Sequence, residues 1–156
     1  MEIRSLEELS AEAARWVGTL APREEGATLV TLSGELGAGK TAFAKAVAKA
    51  LGVEETVTSP TFVLEKIYQL PGAGHQVSRG HLVSAPVGFA RLVHIDAYRL
   101  ESGGELASIG FDELMQDSGN LILLEWPEKV ADALPEPAVR ISLVADPDGS
   151  RHIAYG

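Results

Sequence analysis

The amino-acid sequence predicts an α/β fold in which a mixed, partly parallel sheet lies between layers of helices. Three observations support this prediction. A short apolar strand, Thr28–Ser33, passes through a glycine-rich turn into an alanine-rich helix. The uninterrupted apolar run "NLILLEW" is typical of a strand that is covered on both faces. The last segment, "AVRISLVADPDGSRHIAYG", predicts a hairpin that adds antiparallel strands to the sheet.

The earlier elements follow from capping signals and hydrophobic periodicity. Ser5 followed by Glu8 is a capping box, and the apolar residues after it recur at helical spacing, which predicts a first helix. The strand before the glycine turn comes next. An alanine-rich helix is then expected over residues 41–51, and Gly52 closes it.

The later elements alternate between strands and short helices. The segments "SPTFVLEKIYQL" (59–70) and "RLVHIDAYRL" (91–100) are expected to contain strands. The glycine- and proline-rich residues between them, about 70–90, predict an irregular insertion. "GGELASIGFDELMQD" predicts two short helical pieces, and "PEKVADAL" predicts a short helix that begins at Pro127. The final hairpin is expected to turn at residues 146–149.

Composition limits what kind of protein this chain can be. Its 156 residues suit a single domain, expected over residues 1–156, and the absence of cysteine excludes disulfides, thiolate metal sites and thiol nucleophiles. A formal net charge of −9 argues against a broad nucleic-acid footprint, so a partner is expected to hold any nucleic acid. No apolar run approaches the ~18 residues of a membrane span. The acidic N-terminus does not resemble a signal peptide, and we therefore expect a cytoplasmic protein.

The strongest functional signal is the stretch "GELGAGKT", residues 34–41. It matches the phosphate-binding pattern G-x-x-x-x-G-K-[ST], with the strand before and the helix after that this motif requires. Its glycines let backbone amides approach phosphate oxygens, and the helix N-terminus adds partial positive charge. Lys40 is expected to neutralise the β- and γ-phosphates, and the Thr41 hydroxyl is expected to ligate Mg²⁺. The sequence therefore predicts a three-layer α/β/α domain of the P-loop NTPase type.

Two acidic residues end apolar strands, Asp96 in "LVHID" and Glu125 in "LILLE". The carboxyl ends of parallel strands share one edge of the sheet, where ligands bind, so both acids could reach the metal or its waters. An acid after an apolar strand is more often a solvated turn residue, but two of them beside a phosphate loop favour a functional role for at least one. Which of them orients the attacking water stays open. Trp126, directly after the second strand, is expected in the core or at a partner contact.

Five segments, taken in order, resemble one known family: "GELGAGKT", "SPTF", "HIDAYRL", "ELASIGFDEL" and "LLEWPEKV". The family is that of the small bacterial ATPases of tRNA threonylcarbamoyladenosine synthesis, TsaE. The glycine loop alone is shared with many unrelated NTPases, whereas the combination of segments is far more specific. The resemblance covers nearly the whole chain.

The resemblance implies a Mg²⁺-dependent ATPase that works with two partners of the TsaB and TsaD type. Those partners attach threonylcarbamoyl to adenosine 37 of tRNAs that read codons starting with A. Thr61, in "SPTF", would sense the γ-phosphate or the metal, while no role carries over to the insertion. The implied site residues are Leu36, Gly37, Ala38, Gly39, Lys40 and Thr41 for nucleotide, Thr41 and Glu125 for Mg²⁺, and Lys40, Asp96 and Glu125 for catalysis.

Other functions remain open at this point. A small-molecule kinase on the same loop is the main alternative, but such enzymes use a lid to exclude water, and only Arg79 and Arg91 are available for one here. A GTP-dependent switch lacks a visible guanine-reading motif. A binding-only scaffold would use the nucleotide for stability alone. We expect instead that this protein hydrolyses nucleotide weakly by itself and faster with its partners. Arg151, in the last hairpin, is a candidate to approach the nucleotide from the far side.

Overall fold

The computed structural model describes residues 1–35, 37–54, 65–70 and 88–156, together with the backbone of 77–78 and 81–82. Its helices are α1 (Leu6–Val17), α2 (Lys40–Ala50) and α3 (Phe111–Met115), with 3₁₀ helices η1 (Gly103–Ile109) and η2 (Pro127–Lys129). Its strands are β1 (Glu2–Ile3), β2 (Thr28–Ser33), β3 (Glu65–Gln69), β4 (Val77–Ser78), β5 (His81–Leu82), β6 (Arg91–Asp96), β7 (Asn120–Glu125), β8 (Val139–Ala145) and β9 (Arg151–Tyr155).

Seven of these strands form one mixed sheet in the order β1-β9-β8-β2-β7-β6-β3, and β4 pairs with β5 apart from it. β2 runs parallel to both β7 and β8, and β6 runs parallel to β7. β3, β9 and β1 join the sheet in antiparallel pairs. The carboxyl ends of β2, β6, β7 and β8 therefore share one edge of the sheet. The predicted α/β fold with a partly parallel sheet is confirmed.

Helices cover both faces of the sheet, which gives three layers. Leu121 and Leu123 of β7 pack in a first apolar cluster with α1 and α2. Ile122 and Leu124 point the other way, into a second cluster with η1 and α3. All six residues of β7 are buried, which explains why its sequence is apolar without alternation.

The capping signals act as the sequence predicts. The Ser5 hydroxyl accepts a hydrogen bond from the Glu8 amide at 3.1 Å and begins α1. The Glu8 carboxylate reaches back to the amide of Arg4, one residue before the cap, at 2.6 Å. On the buried side of α1, Trp16 contacts Phe43 of α2 with 5.9 Å between ring centroids. The two helices therefore pack side by side on one face of the sheet.

The structure differs from the sequence predictions at several boundaries. The second helix begins at Lys40 rather than at residue 41, and the helix expected at Pro127 is a three-residue 3₁₀ turn. β1 has only two residues, too few for any periodicity, and it forms because it pairs with β9. Residues 59–62 and most of the insertion at about 70–90 lie outside the described residues. Within the described part, no helix has the length and apolar character needed to cross a membrane.

Candidate functional site

The glycine loop begins directly after β2 and adopts a conformation that needs its glycines. Gly34, Gly37 and Gly39 have φ values of +147°, +83° and +100°. A Cβ at Gly34 would lie 2.5 Å from the carbonyl oxygen of Leu143 in β8, too close for any side chain. A Cβ at Gly39 would lie 2.8 Å from Nε of Arg151. The loop thus folds tightly against β8 and β9, and Gly39 leads directly into α2.

A cleft of about 430 Å³ opens beside this loop at the carboxyl edge of the sheet. The loop and the start of α2 contribute Gly37, Gly39, Lys40 and Thr41 to its wall. β6 contributes Asp96 and β7 contributes Glu125, the two acids that the sequence singled out. The rest of the lining is Ala42, Tyr98, Arg99, Trp126 and Arg151. Ala38, a member of the loop, is buried, and Leu36 lies outside the described residues.

Lys40 is buried at the floor of the cleft, with 5% of its surface exposed. Its Nζ donates a hydrogen bond to the carbonyl oxygen of Gly34 and lies 3.4 Å from the centroid of the Trp126 ring. Burial lowers the pKa of Lys40, and the negative charges of Glu125, Glu128 and Asp96 oppose that shift. An ammonium group removed from water gains by binding an anion, and its three N–H donors suit phosphate oxygens.

Some contacts of Trp126 are expected from the sequence and others are not. It packs partly against the second apolar cluster, as expected for a residue that follows a buried strand. However, its ring also lies over Lys40 and contacts Tyr98, with 4.9 Å between ring centroids. Among the described residues, Trp126 is the only one other than glycine with positive φ, at +62°. Its amide holds that turn by donating to the Leu32 carbonyl at 3.2 Å.

The two acids are neighbours because β6 and β7 are parallel and in register, with Asp96 opposite Glu125. Burial raises the pKa of Asp96. The Tyr98 amide, which donates to Asp96 Oδ1 at 3.0 Å, opposes this shift, while the Glu125 charge adds to it. With its pKa raised, the Asp96 carboxylate is a stronger proton acceptor than an ordinary aspartate.

Glu125 is held by a residue that sequence reasoning missed. Nε2 of His94 and Oε2 of Glu125 are 2.5 Å apart, and the two residues are only 1% and 2% exposed. Nδ1 of His94 is buried with no hydrogen-bond partner among the described residues, so the tautomer with the proton on Nε2 fits. His94 is opposite Leu123 in the register, which makes Glu125 its diagonal neighbour on the same face. The signal in the sequence was a histidine two positions before Asp96.

The oxygen atoms that line the cleft fit a hard divalent cation. Thr41 offers a hydroxyl, and Asp96 and Glu125 offer carboxylates. Mg²⁺ prefers such oxygen ligands and commonly takes one or two carboxylates together with waters and substrate phosphates. In the part of the chain that the structure describes, no group of three or more His, Asp or Glu side chains is arranged so that it could hold a metal ion without other ligands. The donor set therefore suits a cation that completes its coordination with a phosphate.

Comparisons with known proteins agree with the fold. The family model described as "Threonylcarbamoyl adenosine biosynthesis protein TsaE" matches residues 3–153. A "tRNA threonylcarbamoyladenosine biosynthesis protein TsaE" from Treponema pallidum (strain Nichols) is 39% identical over 153 residues, covering 97% of this chain and 98% of the relative. A relative of the same name from Streptomyces coelicolor is 38% identical over 116 residues, covering 74% of this chain and 67% of the relative.

A solved structure shows the same architecture. The crystal structure of Bacillus subtilis YdiB superposes with a TM-score of 0.68 at 26% identity, covering 99% of this chain and 82% of YdiB. The resemblance carried by the five sequence segments is thereby confirmed. This chain belongs to the TsaE family of threonylcarbamoyl adenosine biosynthesis proteins.

Proposed function

We propose that this chain is a Mg²⁺-dependent ATPase that supports the complex forming N6-threonylcarbamoyladenosine at position 37 of tRNAs that read codons starting with A. Membership of the TsaE family places the chain in the biosynthesis of this modification. One observation carries the finer proposal: the glycine loop, its buried lysine and two neighbouring acids line a single cleft. That combination matches the chemical needs of phosphoryl transfer from a nucleotide.

Nucleotide binding is assigned to the loop and the start of α2. The backbone amides around Gly37, Ala38 and Gly39 are proposed to cradle the phosphates, and Lys40 is proposed to neutralise the β- and γ-phosphates. Leu36 is included on the motif alone. Lys40 then exchanges its contacts with the Gly34 carbonyl and the Trp126 ring for phosphate oxygens, and this exchange offsets the cost of its burial.

Thr41 and Glu125 would hold Mg²⁺, which when bound neutralises charge on the β- and γ-phosphates. The hydrogen bond to His94 fixes the Glu125 carboxylate, as is common for metal-binding side chains. Asp96, whose pKa is raised by burial, is then the better acid to orient water and take its proton. The water oxygen bonds to the γ-phosphorus, the bond to the β–γ bridging oxygen breaks, and ADP leaves.

The partners are proposed to be the two proteins of the TsaB and TsaD type, with tRNA held by them. The net charge of −9 supports this division, because tRNA binding rests on clustered Lys and Arg. An ATPase that waits for its assembly is expected to be slow alone and faster in the complex.

A small-molecule kinase is less well supported. Arg91, one of two arginines available for a lid, pairs instead with Asp117 at 2.5 Å and Asn120 at 2.7 Å. It begins β6, so it lies at the end of that strand away from Asp96 and the cleft. Arg79 lies outside the described residues. A screen of phosphate acceptors separates the two functions, because rapid transfer to a metabolite with little hydrolysis would contradict the ATPase proposal.

The direct experiment measures ATP hydrolysis with and without the two partners, in Mg²⁺ and in EDTA. Lys40→Ala is expected to lose ATP and ADP binding by calorimetry. Lys45→Ala is the matched control, because it removes an exposed lysine from the same helix. Loss of Mg²⁺-stimulated turnover in Glu125→Gln is also expected. Turnover that does not respond to the partners would count against a role in the complex, and equal ATP binding by both lysine variants would count against the site.

A further inference from the structure

A short turn after β6 presents two exposed side chains at the mouth of the cleft. The Leu100 amide closes this turn by donating a hydrogen bond to the Ala97 carbonyl at 3.0 Å. Tyr98 and Arg99 are the middle residues of the turn, and both are exposed and line the cleft. The turn therefore brings a positive charge to the cleft at the carboxyl end of β6.

The backbone of this turn is anchored at both ends. At one end, the amide of the buried Ala97 donates to the Glu125 carbonyl at 3.1 Å. At the other end, Leu100 packs in the second apolar cluster. Between them, the Tyr98 amide donates to Oδ1 of Asp96 at 3.0 Å. The turn is thus fixed relative to the two acids, while the exposed arginine side chain can change rotamer without disturbing the core.

The strand order puts Arg99 on the γ-phosphate side of the proposed site. The loop follows β2, Glu125 ends the adjacent strand β7, and Asp96 ends the next strand, β6. In the proposed function these acids serve the metal and the attacking water, so the γ-phosphate would lie between them and the loop. Lys40 would reach that phosphate from the floor of the cleft. Arg99, three residues after Asp96, would reach it from the mouth.

The chemistry of arginine suits the charge that develops during hydrolysis. In phosphoryl transfer the negative charge on the γ-phosphoryl oxygens and the leaving oxygen is stabilised by cations, which include an arginine in several nucleotide hydrolases. The guanidinium group offers five N–H donors in a planar fork that matches phosphate oxygens. An exposed cation acts weakly because water screens it, and it acts more strongly once water is excluded. An arginine at an open mouth therefore fits an enzyme that is slow alone and faster when a partner covers it.

We propose that Arg99 is a catalytic residue that stabilises the γ-phosphoryl charge of the transition state once a partner protein covers the mouth of the cleft. This inference rests on the proposed function. The arginine comes from this chain, so the partners need only cover the mouth and direct the side chain inward. Because Arg99 acts on the charge that develops at the γ-phosphate, it adds little to the affinity for ADP.

The test compares Arg99→Gln and Arg99→Lys with Lys129→Gln in the full-length chain. Lys129 is the matched control, because its exposed ammonium lies 5.7 Å from the centroid of the Tyr98 ring but does not line the cleft. Turnover is measured alone and with saturating partners. Calorimetry measures binding of each variant to the partners. In the complex with Mg²⁺, it also measures ADP affinity with and without aluminium fluoride, which together with ADP mimics the transition state.

Arg99→Gln is expected to bind ADP and the partners as the parent does. Its turnover with partners is expected to fall by about 100-fold, the size expected for one donor aimed at developing charge. The tightening of ADP by aluminium fluoride should weaken by a similar factor. Arg99→Lys keeps the charge without the planar fork and should recover part of both losses. Lys129→Gln is expected to match the parent in every measurement.

Unchanged stimulation of Arg99→Gln by the partners overturns the inference. Weakened ADP binding also overturns it, because Arg99 would then act on the bound product as well. Loss of partner binding overturns it too, since Arg99 would then be a docking residue. If the parent itself gains no turnover from the partners, the proposed function fails, and the inference fails with it.

Discussion

Replacing His94 with alanine removes the only hydrogen-bond partner that the Glu125 carboxylate has among the described residues. Both residues are almost fully buried, and the bond between them is 2.5 Å long. The substitution would leave a buried carboxylate without its donor, together with a cavity where the ring had been. We expect a large loss of stability, although neither residue belongs to the apolar core.

The magnitude follows from the burial of the pair. A buried polar group left without its partner costs about 1–3 kcal/mol and a charged group costs more, so about 3–5 kcal/mol is expected for the Glu125 carboxylate. For a chain of this size, each kcal/mol shifts the melting temperature by roughly 2–4 °C, so a fall of roughly 6–20 °C is expected. His94→Gln keeps an N–H donor and should recover at least half of that loss. In a Glu125→Gln background the partner is neutral, so removing His94 should cost only about 1–3 kcal/mol.

Urea unfolding of the parent, His94→Ala, Glu125→Gln and the double variant measures these free energies of unfolding directly. A coupling free energy of about 2 kcal/mol is expected from the difference between the two backgrounds. The reasoning is refuted if His94→Ala destabilises the parent by less than about 1 kcal/mol, or if the two substitutions are additive. Glu125→Gln alone should keep the hydrogen bond and remain close to the parent in stability.

Three further predictions concern other parts of the structure. Because burial lowers the pKa of Lys40, the unfolded state holds that proton more tightly, so the free energy of unfolding should rise with pH on approaching 10.5 from below. Lys40→Met should remove this rise in alkaline urea titrations without lowering stability at neutral pH. Hydrogen bonds from Arg15 and Tyr155 help lower the pKa of Glu12 in the folded protein. The stability that this gives the fold is fully present above pH 4.5, the ordinary pKa, and is lost as the pH falls through the pKa of the folded state. Tyr155→Phe should cost about 1–2 kcal/mol at pH 7 and flatten this acid loss, as followed by circular dichroism. Gly34→Ala should destabilise the chain by more than Gly149→Ala, because both have positive φ but only Gly34 would meet a main-chain carbonyl; equal melting temperatures would contradict this.

The positions of the two acids were predictable from a simple rule, because an acid that ends an apolar parallel strand lies at the carboxyl edge of the sheet. Asp96 and Glu125 both lie there, in register with each other. The sequence could not choose between them, since the difference depends on burial and on hydrogen bonds. In the structure Glu125 pairs with His94, whereas burial raises the pKa of Asp96, and the roles proposed for the two acids rest on these differences.

The environment of Lys40 could not be predicted in the same way. Its place at the start of α2 follows from the motif, whereas its burial under Trp126 depends on a backbone turn with φ of +62°. Single-sequence patterns do not predict positive φ for tryptophan, because the conformation is unfavourable in isolation. It persists here because the surrounding packing and the bond to Leu32 hold it.

The sequence by itself determined the glycine loop, the helix that follows it and the apolar character of β7, because backbone sterics, capping and hydrophobic periodicity act over a few neighbouring residues. Only the tertiary structure decided which side chains meet the loop. His94 and Glu125 are 31 positions apart, and Arg151 is 113 positions from Ala38. Such contacts depend on the strand order, which is set by how the whole sheet packs between its two apolar layers.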